Sequence, residues 1–168
     1  MPQLADRVSW LEQWPDQLHA IVLGNEVLDA LPVHRVRVDQ GRVEEIGVIA
    51  NDDDFVWACR PAPATLQQVV TAHELPDDYE TEISLAVPAL ISSMAQRLHR
   101  GALLFIDYGF PAHEFFHAQR NRGTLMCHYR HHAHDDAFAL TGLQDITTHV
   151  DFSAVATAAH EGGAQLLG

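Results

Sequence analysis

The feature that most constrains this chain is a pair of short, unbroken apolar runs that each end on polar residues. The first, His19–Leu23 (HAIVL), stops at Gly24-Asn25-Glu26. The second, ALLFI at residues 102–106, stops at Asp107-Tyr108-Gly109. A run of this length with no alternation suits a strand buried on both faces, as in a parallel sheet. Ile83, Val87, Leu90, Ile91, Met94 and Leu98 recur at helical spacing just before the second run, which predicts a helix over 79–100 closed by Gly101. Helix, glycine, apolar strand and polar tip make half of a βαβ unit, and the fold class expected is α/β.

Between the two runs the pattern changes. VHRVRVDQGRVEEIGVIA alternates apolar and polar on both sides of Asp39-Gln40-Gly41, a hairpin signature, and a further strand is expected over 55–59 after a turn at 51–54. This predicts a small antiparallel β insertion at about 33–60. Shorter helices are expected over 2–14, 64–73 and 151–160, the last capped by Asp151 or Ser153. Residues 110–123 read as a loop, Thr124–His128 as a short strand, 130–144 as irregular and Asp145–Val150 as extended.

The 168 residues fit one domain with a core of its own. No apolar run reaches the roughly 18 residues that would span a bilayer, and the first residues show no basic stretch leading into an apolar one. Charge is lopsided: 23 acidic residues face 10 basic ones, all arginine, for a net −13. That argues against nucleic acid, whose phosphates require a basic surface, and suits solubility or a basic, arginine-bearing partner. The two cysteines, Cys59 and Cys127, form no CxxC pair and read as free thiols.

In an open α/β sheet, ligands bind beyond the carboxyl ends of the strands. Asn25, Glu26 and Asp29 lie there, as do Asp107 and Tyr108. A carboxylate at such a place can grip a guanidinium through charge-assisted hydrogen bonds; Asn25 and Glu26 can equally cap the segment that follows, and Asp107-Tyr108-Gly109 can be a turn around a left-handed glycine. A third cluster, Asp145, Thr147, His149 and Asp151, stands before a helix, where capping by Asp151 explains part of it. The histidines at 113, 117, 128, 131, 132 and 134 lack HExxH spacing, and no metal site is assigned to them. Cys127 beside His128 is a weak nucleophile signal.

Together these segments resemble one family. LGNEVLDALPVHRV is similar to the NE-x-x-DALP signature of the MidA-like methyltransferases, which include the mitochondrial complex I assembly-factor arginine methyltransferases. GALLFIDYG resembles that family's strand-plus-DYG segment, and GTLMCHYRHHAHDDAFALTGLQDITTHVDFSAV its long motif ending in a DITTHVDF-like block. YETEISLAVPALI resembles the helix before the DYG strand, with Glu82 matching a family glutamate.

The resemblance implies a Rossmann-like class I methyltransferase sheet, here incomplete with its first strands missing, so that 1–168 is a partial methyltransferase domain. It implies S-adenosyl-L-methionine as cofactor and symmetric dimethylation of a protein arginine. On this reading Glu26, Asn25 and Asp29 are the catalytic candidates, with Asn25 and Glu26 also touching the cofactor. Asp107, Tyr108, Asp145, Thr147, His149 and Asp151 are the substrate-binding candidates. The partner implied is an arginine-bearing protein, with a respiratory complex I subunit as one candidate, and a homodimer is a further expectation. The location expected is the bacterial cytoplasm, or the mitochondrion where a transit peptide lies upstream. The family's Gly-rich cofactor loop has no counterpart among the glycines of this chain, so the chain reads as a fragment and weak or absent cofactor binding is expected. The alternative is an inactive binding or assembly module; a metal-dependent hydrolase built on the histidines is a third reading.

Overall fold

The computed structural model describes residues 6–52 and 54–167. In chain order these form strands β1 (Leu18–Asn25), β2 (His34–Asp39), β3 (Arg42–Asn51) and β4 (Asp54–Pro61), helix α1 (Ala64–Ala72), strand β5 (Tyr79–Ile83), helix α2 (Ala86–Arg97), strands β6 (Leu98–Ile106) and β7 (Gly109–Phe110), helix α3 (Ala112–Phe115), strands β8 (Met126–Tyr129), β9 (His132–His134), β10 (Asp145–Thr147) and β11 (Val150–Asp151), and helix α4 (Phe152–Glu161). Leu4 and Asp53, which belong to an expected helix and an expected turn, lie outside the described residues. No α-helix occurs between residues 6 and 17.

β1 and β6 are the two apolar runs, and they pair in parallel, with Leu23 opposite Leu104 and Asn25 opposite Ile106. The sequence predicts burial on both faces, but one face is bare: Ile21 is 78% and Leu23 65% exposed, with Leu104 and Ile106 about half exposed. The other face carries Phe105, which packs on the cluster of Leu28, Val87, Ile91, Val150 and Ala158 that joins α2 to α4.

The insertion is larger than the hairpin signature suggests. β2 and β3 are joined by Gln40-Gly41, both with positive φ (48° and 70°), the conformation that a two-residue hairpin turn demands. β4 adds to β3, and β5 adds to the far side of β2, giving an antiparallel sheet ordered β4-β3-β2-β5. α1 covers it, burying Leu66 and Val70 against Val36, Val38 and Ile83.

β5 corrects the long helix expected over 79–100. The helical spacing runs on from Ile83 into Val87, but residues 79–83 pair with β2, placing Val36 opposite Thr81. Ser84 accepts the Val87 amide at 3.1 Å, and α2 starts only at Ala86. Gly101 does not stop that helix either; α2 ends at Arg97. Gly101 lies inside β6 with φ +143°, where a Cβ would fall 1.8 Å from the Ala20 carbonyl oxygen, so its lack of a side chain allows the parallel pair to form.

Two smaller units hold the 109–151 stretch. β7 and β11 pair in parallel, and β8 lies between β9 and β10 in an antiparallel sheet. The expected loop at 110–123 contains α3 and a 3-10 turn at Ala118–Arg120, and the expected irregular stretch at 130–144 contains β9.

Candidate active site

The tips of β1 and β6 are tied together by Asp107. Its Oδ2 accepts hydrogen bonds from the amides of Val27 (3.0 Å) and Leu28 (2.8 Å), with a longer one from Asp29 (3.4 Å), and its Oδ1 accepts from the Tyr108 amide at 2.9 Å. The Glu26 amide donates to the Ile106 carbonyl at 2.8 Å. Asp107, expected to meet substrate, therefore commits both oxygens to backbone and shapes the loop that presents Glu26.

Glu26 itself is exposed and has φ +50°. A non-glycine residue in the left-handed region carries strain, and such strain gathers at functional positions. Asn25 beside it is also exposed. Asp29 is only 8% exposed and its Oδ1 has no hydrogen-bond partner among the described residues. Burial pushes its carboxyl above the ordinary range, and the neighbouring charges of Asp107, Glu26 and Asp145 push it further. Those interactions bring three of the expected clusters to one edge: Glu26 and Asp29 after β1, Asp107 after β6, and Asp145 at the start of β10.

The segment 145–151 is stitched to the same edge. The Thr148 amide donates to the Asp29 carbonyl at 3.0 Å, and the His149 amide to Thr124 Oγ1 at 3.0 Å. The His149 ring lies half-buried edge-on to Phe110, with Nδ1 unpartnered among the described residues; burial, and then Arg120, lower its pKa. Asp151 caps α4, its Oδ1 accepting from the Ser153 and Ala154 amides, and so the capping role expected from the sequence accounts for that oxygen. Thr147 lies within β10, opposite Met126, and Tyr108 projects into solvent, 64% exposed. Gly109 is not a left-handed turn: it holds β7 against β11, where a Cβ would come within 2.1 Å of the Val150 carbonyl oxygen.

Glu82, the match to a family glutamate, is not among the expected site residues. It is 2% exposed, and its Oε2 accepts from the Thr124 amide (2.7 Å) and hydroxyl (3.1 Å). Burial raises its proton affinity against those bonds. The available signal was the alternation of YETEI, which as a strand directs Glu80 and Glu82 to one side; the helical spacing masked it. Among the described residues no group of three or more His, Cys, Asp or Glu side chains is placed to hold a metal ion, and Cys127 is a buried thiol whose pKa burial raises.

Carboxylates gather beyond the carboxyl ends of a parallel strand pair, an acidic edge on a mixed α/β fold at the place where such sheets meet ligands. The family model of S-adenosyl-L-methionine-dependent methyltransferases matches residues 1–168, and the chain belongs to that family. It is similar to a COG1565 superfamily member from Burkholderia thailandensis solved bound to S-adenosyl-homocysteine, with 48% identity and a TM-score of 0.92 over 99% of this chain and 44% of that one. A native structure from the same organism gives 47% identity and the same TM-score. Among curated relatives it is 31% identical to the Drosophila melanogaster mitochondrial protein arginine methyltransferase NDUFAF7 homolog, over 86% of this chain and 33% of that protein. The Danio rerio NDUFAF7 is 28% identical over 80% of this chain and 31% of its own length. The chain thus spans about a third of the curated relatives it matches.

The edge fits the cationic end of S-adenosyl-L-methionine. Exposed Asn25, in the negative field of this edge, would face the cofactor's cationic end, which leaves the Glu26 and Asp29 carboxylates to the acceptor. The segment from Glu26 to Pro32 has no glycine, so a Gly-rich turn is not among the features that β1 supplies.

Proposed function

We propose that this chain carries the acceptor side of an S-adenosyl-L-methionine-dependent protein methyltransferase that modifies arginine. The observation that supports it is the acidic edge at the tips of β1 and β6, with strained Glu26 at its rim and buried Asp29 behind. The names of the fly and zebrafish relatives, protein arginine methyltransferases, favour the same acceptor, and the net charge of −13 suits a basic protein. An arginine of a respiratory complex I subunit, symmetrically dimethylated, is the most specific form of this reading.

When bound, the cofactor supplies an electrophilic methyl group on a sulfonium. The chain's own work is positioning and electrostatics. Glu26 holds the guanidinium of the acceptor and concentrates its lone pair on one nitrogen. Asp107 fixes the loop so that Glu26 meets that nitrogen in one orientation. Asp29 Oδ1, unpaired and with its proton affinity raised, takes the proton that the nitrogen gives up; a carboxylate tuned upward is suited to that task.

The test is labelled-methyl transfer from millimolar S-adenosyl-L-methionine to a basic protein. Glu26→Gln is expected to cut the rate by about 100-fold or more, the scale of losing a group that orients and polarises the acceptor. An unchanged rate would remove Glu26 from the reaction.

A further inference from the structure

A cavity of about 430 Å³ lies among α1, β5, α2, α3 and α4. Its walls include Leu28, Leu85, Val87, Phe115 and Phe116, and its polar lining includes Glu82, His149, Asp151, Glu161 and His73. No arginine lines it, and the chain has no lysine. His73 stacks on Phe116 at 3.9 Å, and burial lowers the pKa of His73 and of His149. The lining is rich in acceptors, and the arginines that act on them, Arg35 on Glu82 and Arg120 on His149, stand outside it.

One of those acceptors is buried without a partner. Glu82 is 2% exposed, and while Oε2 is satisfied by Thr124, Oε1 has no hydrogen-bond partner among the described residues. Gly123 leaves the space this oxygen occupies, since a Cβ there would stand 2.3 Å from it, and Gly123 has φ +76° besides. His149 Nδ1 is likewise unpartnered. Leaving a buried acceptor unsatisfied costs about 1–3 kcal/mol, more when it is charged. A guest that brings donors and positive charge on an apolar stem would satisfy both atoms. A guanidinium suits this better than an ammonium, because it is less strongly hydrated and presents its donors as a planar fork.

We propose that this cavity is a recognition pocket for an arginine side chain of the acceptor protein, separate from the arginine oriented by Glu26. Its aliphatic stem lies against Val87 and the Phe115–Phe116 pair, and its guanidinium donates to Glu82 Oε1 and His149 Nδ1. The proposal rests on the reading of the acceptor as an arginine-bearing protein. Glu82 then acts in substrate selection: its carboxylate pairs with a charge that citrulline, of the same shape, lacks.

Isothermal titration of N-acetyl-arginine amide and N-acetyl-citrulline amide into the chain carrying Glu26→Gln, so that the other arginine contact is removed, tests it. This background is expected to prefer arginine by at least about tenfold, the scale of one charge-assisted hydrogen bond. Glu82→Gln removes the charge at constant shape, and Ala154→Phe fills the cavity from α4 with Glu82 untouched; each is expected to weaken arginine binding by tenfold or more. Loss with both variants, with circular dichroism unchanged, excludes unfolding as the cause. Arginine preference that survives both variants overturns the pocket and leaves the acceptor reading standing. A Glu26→Gln background that does not distinguish arginine from citrulline also overturns the pocket, while the acceptor reading stands or falls on the methyl-transfer assay.

Discussion

Replacing Asp107 by alanine tests whether one carboxylate holds the two strand tips in register. The side chain accepts two short amide hydrogen bonds across the tips, from Val27 at 3.0 Å and Leu28 at 2.8 Å, and a longer one from Asp29 at 3.4 Å. A hydrogen bond to a charged group contributes about 1.5–3 kcal/mol net. The Val27 contact is exposed and the Leu28 contact part-buried, so the lower end applies, and two short bonds give about 3 kcal/mol. For a chain of this size that corresponds to a fall in Tm of about 6–12 °C. Asp107→Asn keeps one acceptor oxygen and is expected to lose about 1 kcal/mol, or about 2–4 °C. The assay is thermal unfolding followed by circular dichroism, with amide exchange at Val27 and Leu28 as the local readout. Both amides are expected to exchange faster in the alanine variant. A melting point within about 2 °C of wild type, with exchange unchanged, would refute the argument, because the amides would then have found other partners at no cost.

Gly101→Ala places a methyl on the Ala20 carbonyl at a backbone angle that only glycine adopts readily, and is expected to disrupt β1–β6 pairing and cost about 4 kcal/mol or more, read by urea unfolding. Asp29 has a folded pKa raised above its unfolded value. Its contribution is favourable below the unfolded pKa and is lost as pH rises through the folded one. Asp29→Asn is therefore expected to melt higher than wild type at pH 7, with the advantage fading towards about pH 3–4, seen in a pH series of melting curves. Cys59 is exposed whereas Cys127 is buried with its thiol pushed up, so iodoacetamide at pH 8 is expected to label Cys59 first and leave Cys127 unlabelled until the protein unfolds.

Much of this arrangement is legible in the residues themselves. The parallel pair and its polar tips follow from HAIVLGNE and ALLFIDYG, and the hairpin from alternation around Gln40-Gly41. What is hidden is hidden for a physical reason. Residues 79–98 satisfy a helical period throughout, and only pairing of Tyr79–Ile83 with β2 decides that this segment is a strand; a propensity is overridden by tertiary contact. Glu82 is marked only by its match to a family glutamate, and its place on that strand is hidden for the same reason. Asp107 sits where a ligand would be met, yet hydrogen bonding commits it to amides of the β1 tip, which spacing cannot reveal, whereas the cap that Asp151 makes on α4 is legible. The apolar runs announce faces that need covering, and one face of β1 and β6 is exposed in this structure, in a chain that spans about a third of its curated relatives.

The most direct test of the account is to identify the side chain that receives the methyl group. The protein is incubated with millimolar labelled S-adenosyl-L-methionine and an arginine-rich acceptor protein, and the acceptor is digested and sequenced by mass spectrometry. The account predicts label on arginine nitrogen, lost when Glu26 is replaced by glutamine. Label on another side chain, or no label on arginine with the cofactor saturating, would contradict it.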